Sequence, residues 1–212
     1  MCLLLKRPLS KIQNQTIYPV ILAVEEKGLN LTGRERVAYL SRHARLALEI
    51  SAQKNNIPLG DLEKGENGVP LPFNGTYWSL THKTNYVGGV TAPSRIGMDI
   101  EEIRPCTAGL FKKTAGEEEW RLSNIDRDTL FFRYWTSKEA VLKASGIGIR
   151  DLSKSRVVEI LDDGNLIVDY EKRKWHVEHF FFDGHIASVV KDEFEIAWTL
   201  IHPSEQEDDS IK

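Results

Sequence analysis

Two carboxylates stand two residues apart in RIGMDIEEIR, residues 95–104, a stretch that otherwise reads as a short buried strand. Strand side chains alternate, so Gly97, Asp99 and Glu101 share one face while Met98 and Ile100 look the other way. The two acids then lie about 7 Å apart, beside a glycine with no side chain to crowd them. One reading is a salt-bridged edge strand, with Arg95 and Arg104 as partners. The other is a hard-cation site, because Mg²⁺ takes oxygen ligands and commonly uses one or two carboxylates together with substrate phosphates.

A second group lies in YWTSKEAVLKASGIGI, residues 134–149. Thr136 followed three residues later by Glu139 matches a capping box, in which Glu139 does no more than close a helix N-terminus. Gly146 stands where a C-terminal cap belongs. On such a helix Glu139 and Lys143 are i and i+4 and share a face. That spacing fits a solvated ion pair. It equally fits a base or metal ligand one turn from a phosphate-binding ammonium, near a helix N-terminus that favours anions. The third candidate is His82 in SLTHKTNY, at the end of a strand, where a surface or capping histidine is the ordinary alternative to a catalyst.

Composition narrows the classes. The chain has 212 residues, 41% of them apolar, with 28 basic against 31 acidic side chains. That suffices for a real core and gives no basic excess for nucleic acid. Cys2 and Cys106 have no metal-ligand spacing, so neither a disulfide framework nor a zinc site is expected. The apolar run in MCLLLKRPLSK is too short for a signal peptide or a membrane span. The expectation is a cytoplasmic protein that binds neither membrane nor nucleic acid.

The elements that must position these groups follow from periodicity. PVILAVEE (19–26) reads as a strand, and residues 32–55 as one long helix with Thr32 as cap and Val37, Leu40, Ala44 and Leu48 at helical spacing. LEKGENGVPLPFNG (62–75) is a turn-rich connection. TYWSLTH, YVGGVTA and RIGMDIEE read as three strands. Helical EEEWRLSNI and FFRYWTSKEAVLKASG follow, then strands SRVVEIL, LIVDYEK, KWHVEHFFF, HIASVVK and EIAWTLI. Helix followed by sheet thus occurs twice, which predicts two lobes, 1–105 and 106–203, with a polar tail over 204–212.

SLTH, then IGMDIE, then WTSKEAVLKASGIG, in this order and spacing, resemble the 4'-phosphopantetheinyl transferases of the Sfp type. That family carries a Ser-His pair at a strand end, a Gly-(Ile/Val)-Asp-Ile-Glu strand and a Trp-Thr-x-Lys-Glu-Ala/Ser-x-x-Lys-x-x-Gly helix. RVAYLSRHARLAL (36–48) resembles its Arg-rich first helix, GVPLP (68–72) its Gly-x-Pro turn, and TAGEEEW (114–120) a segment with an acid before the second-lobe helix. Thr81 replaces the usual Ser before His82, and Ser41 stands where a Gly often precedes the helix arginine. Within Glu117-Glu118-Glu119, Glu117 is the favoured equivalent of the family's acid.

The resemblance implies an α+β fold of two similar lobes related by a pseudo-two-fold axis, each a small, mainly antiparallel sheet packed on a helix, with the site between them in a monomer. It implies transfer of the 4'-phosphopantetheine arm of coenzyme A to a serine of an apo acyl or peptidyl carrier protein, releasing adenosine 3',5'-bisphosphate. This is the reaction type of holo-[acyl-carrier-protein] synthase. Such chemistry needs charge neutralised on two phosphates, for which Mg²⁺ (or Mn²⁺) on Asp99, Glu101 and Glu139 is the expected device. Glu139 is also placed as a base for the serine. Lys143, His82 and Lys138 are expected phosphate contacts, and Arg36, Arg42 and Arg45 candidates for the nucleotide 3'-phosphate, against the plain reading of a solvated basic helix face. Arg104, Leu110, Phe111, Lys112 and Lys113 are the expected carrier-facing rim. A metal-dependent phosphohydrolase and a non-catalytic coenzyme A or carrier-binding module are the alternatives.

Overall fold

The apolar periodicity of residues 33–54 does produce a helix, and its buried stripe shows where it docks. The computed structural model describes residues 15–65, 68–147 and 149–203, so the N-terminal apolar run and the acidic tail lie outside the described residues. In chain order these residues form β1 (Thr16–Ile17), β2 (Val20–Ala23), α1 (Glu26–Leu29), α2 (Gly33–Lys54), β3 (Tyr77–His82), β4 (Tyr86–Ala92) and β5 (Met98–Glu102). There follow α3 (Ala108–Thr114), α4 (Glu117–Trp120), α5 (Arg127–Ser145), a short 3-10 segment, β6 (Arg156–Ile160), β7 (Asn165–Tyr170), β8 (Arg173–Phe182), β9 (His185–Val190), β10 (Glu195–Ile196) and β11 (Thr199–Ile201). No helix among the described residues is long and apolar enough to cross a membrane.

Two sheets carry the architecture. A four-stranded sheet runs β11-β2-β4-β3, antiparallel except that β11 lies parallel to β2. A five-stranded antiparallel sheet runs β5-β9-β8-β7-β6. The boundary expected near residue 105 is therefore crossed by the strands. β5 leaves the first segment to become the edge of the second sheet, and β11 returns from the C-terminal segment to extend the first. The reason is pairing: β5 has the full run of β9 beside it, Met98 opposite Val189 through Glu102 opposite His185.

Period-2 alternation builds the layers. Val20, Leu22 and Val87 point to one face of the first sheet, against Leu40, Ala44 and Ala47 of α2. Ile21, Tyr86 and Val90 point the other way, into the main core that the second sheet shares. On α2 the buried stripe begins at Leu40, while Val37, expected on that stripe, is exposed. Gly89 lets the helix approach, since a Cβ there would stand 2.5 Å from the Leu48 nitrogen. His43 fastens the pair from the helix side, its Nε2 3.0 Å from the Ala23 carbonyl oxygen. Thr32 occupies the N-cap position of α2 without a side-chain capping bond.

The second helix differs from its sequence reading in one respect. Asp126 caps α5, its side chain accepting from the Thr129 N–H. The helix therefore begins at Arg127, well before Thr136. Thr136 is a mid-helix residue whose hydroxyl bonds back to the Phe132 carbonyl at 2.8 Å, so no capping box occupies Glu139. For the same reason the positive end of the helix dipole is not at Glu139 or Lys143. Gly146 ends the helix as expected, in the left-handed region at φ 79°.

Candidate active site

β5 is clasped from both sides over Met98–Ile100, which explains why Asp99 is a buried acid in it. Met98 and Ile100 face the first sheet: a Cβ added to Gly88 would meet Met98 Cε at 2.7 Å and Ile100 Cδ1 at 2.9 Å. Gly97, Asp99 and Glu101 face α5. The space beside Gly97, which carries no side chain to crowd the two acids, is not open. A Cβ there would stand 1.8 Å from the Ala140 carbonyl oxygen and 2.7 Å from the Ala144 nitrogen, so the helix backbone fills that space. The close approach of α5 carries Glu139 and Lys143 to Asp99.

The first sheet supplies the other wall. Ser79 and Thr81 on its edge strand β3 reach across to the edge of the second sheet. The Met98 N–H donates to Ser79 Oγ at 3.1 Å, and the Thr81 hydroxyl donates to Asp99 Oδ1 at 3.1 Å. His82, one residue on, closes the strand at the mouth. The result is a cleft of about 300 Å³ lined by Asp99, Glu101, Glu139, Lys143, His82, Lys83 and Trp135, with Thr81 and Leu80 behind them.

Each acid has one oxygen spoken for or one left bare. Asp99 Oδ1 receives the Lys143 ammonium at 2.8 Å as well as Thr81, whereas its Oδ2 is buried without a partner. Glu101 Oε1 receives Lys83 Nζ at 2.6 Å and the Trp135 indole N–H at 3.1 Å. Glu139 Oε1 is buried without a partner. A bare buried carboxylate oxygen is costly, and such groups mark places where a ligand, an ion or a proton belongs. Burial first, and then the Asp99 charge, push Glu139 up to about 7. Burial also raises Glu101, against the opposing pull of Lys83. His82 is held below the usual imidazole range by desolvation and then by the Lys143 ammonium.

The unpartnered oxygens of Asp99 and Glu139 fit a hard divalent cation, because they are hard donors already stripped of water. As they stand, no three Asp, Glu, His or Cys side chains among the described residues form a ready-made metal cluster. Two of the acids are meanwhile occupied by lysines, Asp99 by Lys143 and Glu101 by Lys83.

Other residues singled out in the sequence fall elsewhere. Lys138 does not face the cleft. It is 1% exposed, its Nζ 2.6 Å from Glu119 Oε1 and donating to the Thr114 carbonyl at 2.7 Å. One residue before Glu139, it leaves α5 about 100° around the helix from that side chain. Glu119, not Glu117, is the inward acid of the triple run: it also accepts from the Gly116 and Val157 N–H groups, while Glu117 sits in the open with Arg121. Arg36 donates at 3.4 Å to the Thr84 carbonyl in the turn behind His82, and Arg42 and Arg45 are exposed on α2. Phe111 is buried beneath Arg127 and beside Trp120, so only Arg104, Leu110, Lys112 and Lys113 of the expected rim are exposed.

Lys83 and Trp135 were not assigned roles from sequence. Trp135 is i−4 from Glu139 and so on its face of the helix, a spacing that was legible. Lys83 carries no such signal, because its reach to Glu101 depends on two sheets meeting. A second, smaller cavity of about 180 Å³, between Lys64, Val69, Trp78 and Gly146, shares Leu80 and Lys143 with the main cleft.

A carboxylate set paired with its own ammoniums thus lies where the edges of the two sheets meet. Residues 95–199, which hold β5, α5 and the second sheet, match the family model of the 4'-phosphopantetheinyl transferase superfamily. It is 34% identical over 91 residues to the 4'-phosphopantetheinyl transferase HetI of Nostoc sp., covering 40% of this chain and 38% of that one. It is 29% identical to the 4'-phosphopantetheinyl transferase psf-1 of Bacillus pumilus, over 46% of this chain and 45% of that one. A 4'-phosphopantetheinyl transferase of Bacillus subtilis is 24% identical over 157 residues, 69% of this chain and 64% of the relative. The chain thus spans less than half the length of the first two relatives and just under two thirds of the third.

Proposed function

We propose that this protein transfers the 4'-phosphopantetheine arm of coenzyme A to a serine of an apo carrier protein, releasing adenosine 3',5'-bisphosphate, as an enzyme of the Sfp type. The observation that carries the reading is the apposition of Asp99 and Glu139, each with a bare buried oxygen, beside the Lys143 ammonium. The names of the relatives support transfer over simple hydrolysis or silent binding.

In this reading the main cleft and the smaller cavity together take coenzyme A, with the pyrophosphate at Lys143, which both share. Asp99, Glu101 and Glu139 hold Mg²⁺, with Mn²⁺ as the alternative. Such an ion, when bound, neutralises charge on the two phosphates. Lys143 supplies an ammonium to the phosphate of the leaving bisphosphate, and His82 a ring N–H to the same group. Glu139, poised near 7, accepts the serine proton directly or through a water, a contribution on the order of 10²–10⁴ in rate. The serine oxygen forms a bond to the pantetheine-bearing phosphorus as the bond to the bridging oxygen breaks. Arg36 is near enough to the His82 turn to meet the nucleotide, and Arg42 and Arg45 are the further candidates for its 3'-phosphate.

Arg104, Leu110, Lys112 and Lys113 give the carrier a basic rim with an apolar component. The two sheet-and-helix layers are read as lobes with approximate two-fold symmetry, in a cytoplasmic monomer. The test is intact-mass spectrometry of apo carriers incubated with the protein, coenzyme A and Mg²⁺. A gain of one phosphopantetheine, lost on adding EDTA and with Glu139→Gln, is expected. Coenzyme A hydrolysed with no carrier modified would overturn the reading in favour of a phosphohydrolase.

A further inference from the structure

Glu101 is held by one oxygen only, and by two donors of different kinds. The Trp135 indole is part of the α5 wall, whereas Lys83 is a charge on a loose stem. The Lys83 backbone is fixed, its N–H donating to the Tyr86 carbonyl at 2.8 Å to close the β3–β4 hairpin. Its side chain is 39% exposed, and Glu101 is its ion-pair partner. Lys143 is tied more firmly, since its ammonium bridges Asp99 and the Met98 carbonyl.

We propose that Lys83 is a built-in counter-ion of the site: it holds Glu101 while no cation is bound, yields it when one binds, and so sets the cation affinity of the free protein. The inference rests on the metal reading above. Three carboxylates in a partly buried cleft repel one another, and an ammonium on Glu101 relieves that without an ion. A divalent cation arriving at Glu101 meets a positive charge already on the same carboxylate, and like charges at such range oppose each other. The half-exposed stem lets Lys83 swing away cheaply, leaving its ammonium at the cleft mouth beside the cation. That arrangement is favourable only when an anion joins them. Cation and pyrophosphate therefore load together, each raising the affinity for the other.

The experiment is titration of Mn²⁺ into the full chain, read by its electron paramagnetic resonance signal, for the wild type, Lys83→Gln, Lys83→Arg and Asp99→Asn, with and without coenzyme A. Circular dichroism confirms that each variant is folded. Without coenzyme A, Lys83→Gln is expected to bind Mn²⁺ roughly tenfold more tightly than wild type, a shift of the size one removed neighbouring charge produces. Lys83→Arg keeps the charge and is expected to stay near wild type, and coenzyme A is expected to narrow the gap. Equal or weaker binding by Lys83→Gln, tightening by Lys83→Arg as well, or a gap that coenzyme A leaves unchanged would overturn the inference. If wild type binds Mn²⁺ and Asp99→Asn abolishes it, such a failure is of the counter-ion role alone. If no protein binds Mn²⁺ under any condition, the metal reading fails and this inference with it.

Discussion

Gly97 and Ala140 meet backbone to backbone, so closely that a single added methyl carbon on Gly97 would stand 1.8 Å from the Ala140 carbonyl oxygen. This contact sets the distance between the strand that bears Asp99 and the helix that bears Glu139 and Lys143. Gly97→Ala must push α5 away from β5, because the obstacle is backbone and cannot rotate aside. The expected cost is about 1–3 kcal/mol of stability, from overpacking. Urea unfolding measures it. Activity on a carrier should fall further, on the order of 10²-fold, because displacements near 1 Å are enough to misalign a transferring group. A variant that loses stability but keeps full activity would show that the apposition of the two elements does not govern catalysis.

Glu139 should make the cation-free protein less stable as pH rises. Its carboxyl titrates near 4.5 in the unfolded chain and at about 7 in the fold. Below 4.5 both states hold the proton and nothing is lost. Between these values the unfolded state releases it while the fold retains it, and above 7 the cost is complete, about 3 kcal/mol. Glu139→Gln removes this dependence. Denaturant unfolding in EDTA should therefore show the variant gaining on wild type between pH 4 and pH 8, and the gain should shrink when Mg²⁺ is present.

Lys138 should matter to folding and not to nucleotide binding. Its ammonium and the Glu119 carboxylate are both buried and 2.6 Å apart. Lys138→Met leaves a buried carboxylate whose remaining partners are two N–H groups, and losses of about 3–5 kcal/mol are typical when one member of such a pair is removed. Thermal unfolding should show that loss, while the folded fraction binds coenzyme A with unchanged affinity by calorimetry. Weakened binding in a normally stable variant would return Lys138 to the phosphate site.

Ser188 should be a second structural point beneath α5. It lies opposite Asp99 across β5–β9, and its hydroxyl sits 2.6 Å from Thr136 Oγ1 and 2.8 Å from His179 Nδ1. Ser188→Ala leaves His179 fully buried with neither ring nitrogen paired, for an expected loss of about 1–3 kcal/mol in chemical denaturation. Burial, and then Arg133, hold His179 well below the usual imidazole range. The unfolded chain therefore takes up a proton there that the fold refuses, and stability falls as pH drops below about 6.5. Replacing His179 by Gln should flatten that part of the stability profile.

What the residues determine locally was legible without coordinates. Helix α2 and the Gly146 end of α5 follow from apolar spacing and cap chemistry, and the strands from alternation, because these depend on neighbours within a few positions. The face shared by Asp99 and Glu101 and the pairing of Glu139 with Lys143 on one helical side are of the same kind. Three features depended on contacts between distant segments. β5 belongs to the second sheet because β9 offers it a partner strand, which no local pattern encodes. Gly97 is filled by a helix backbone some forty residues later, so its missing side chain serves packing instead of a ligand. Lys138 and Lys83, each one residue from a predicted site residue, go opposite ways, one into an ion pair behind α5 and one into the cleft. Sequence spacing gives the direction in which a side chain leaves its own element, but what it meets there is decided only when the other sheet is in place.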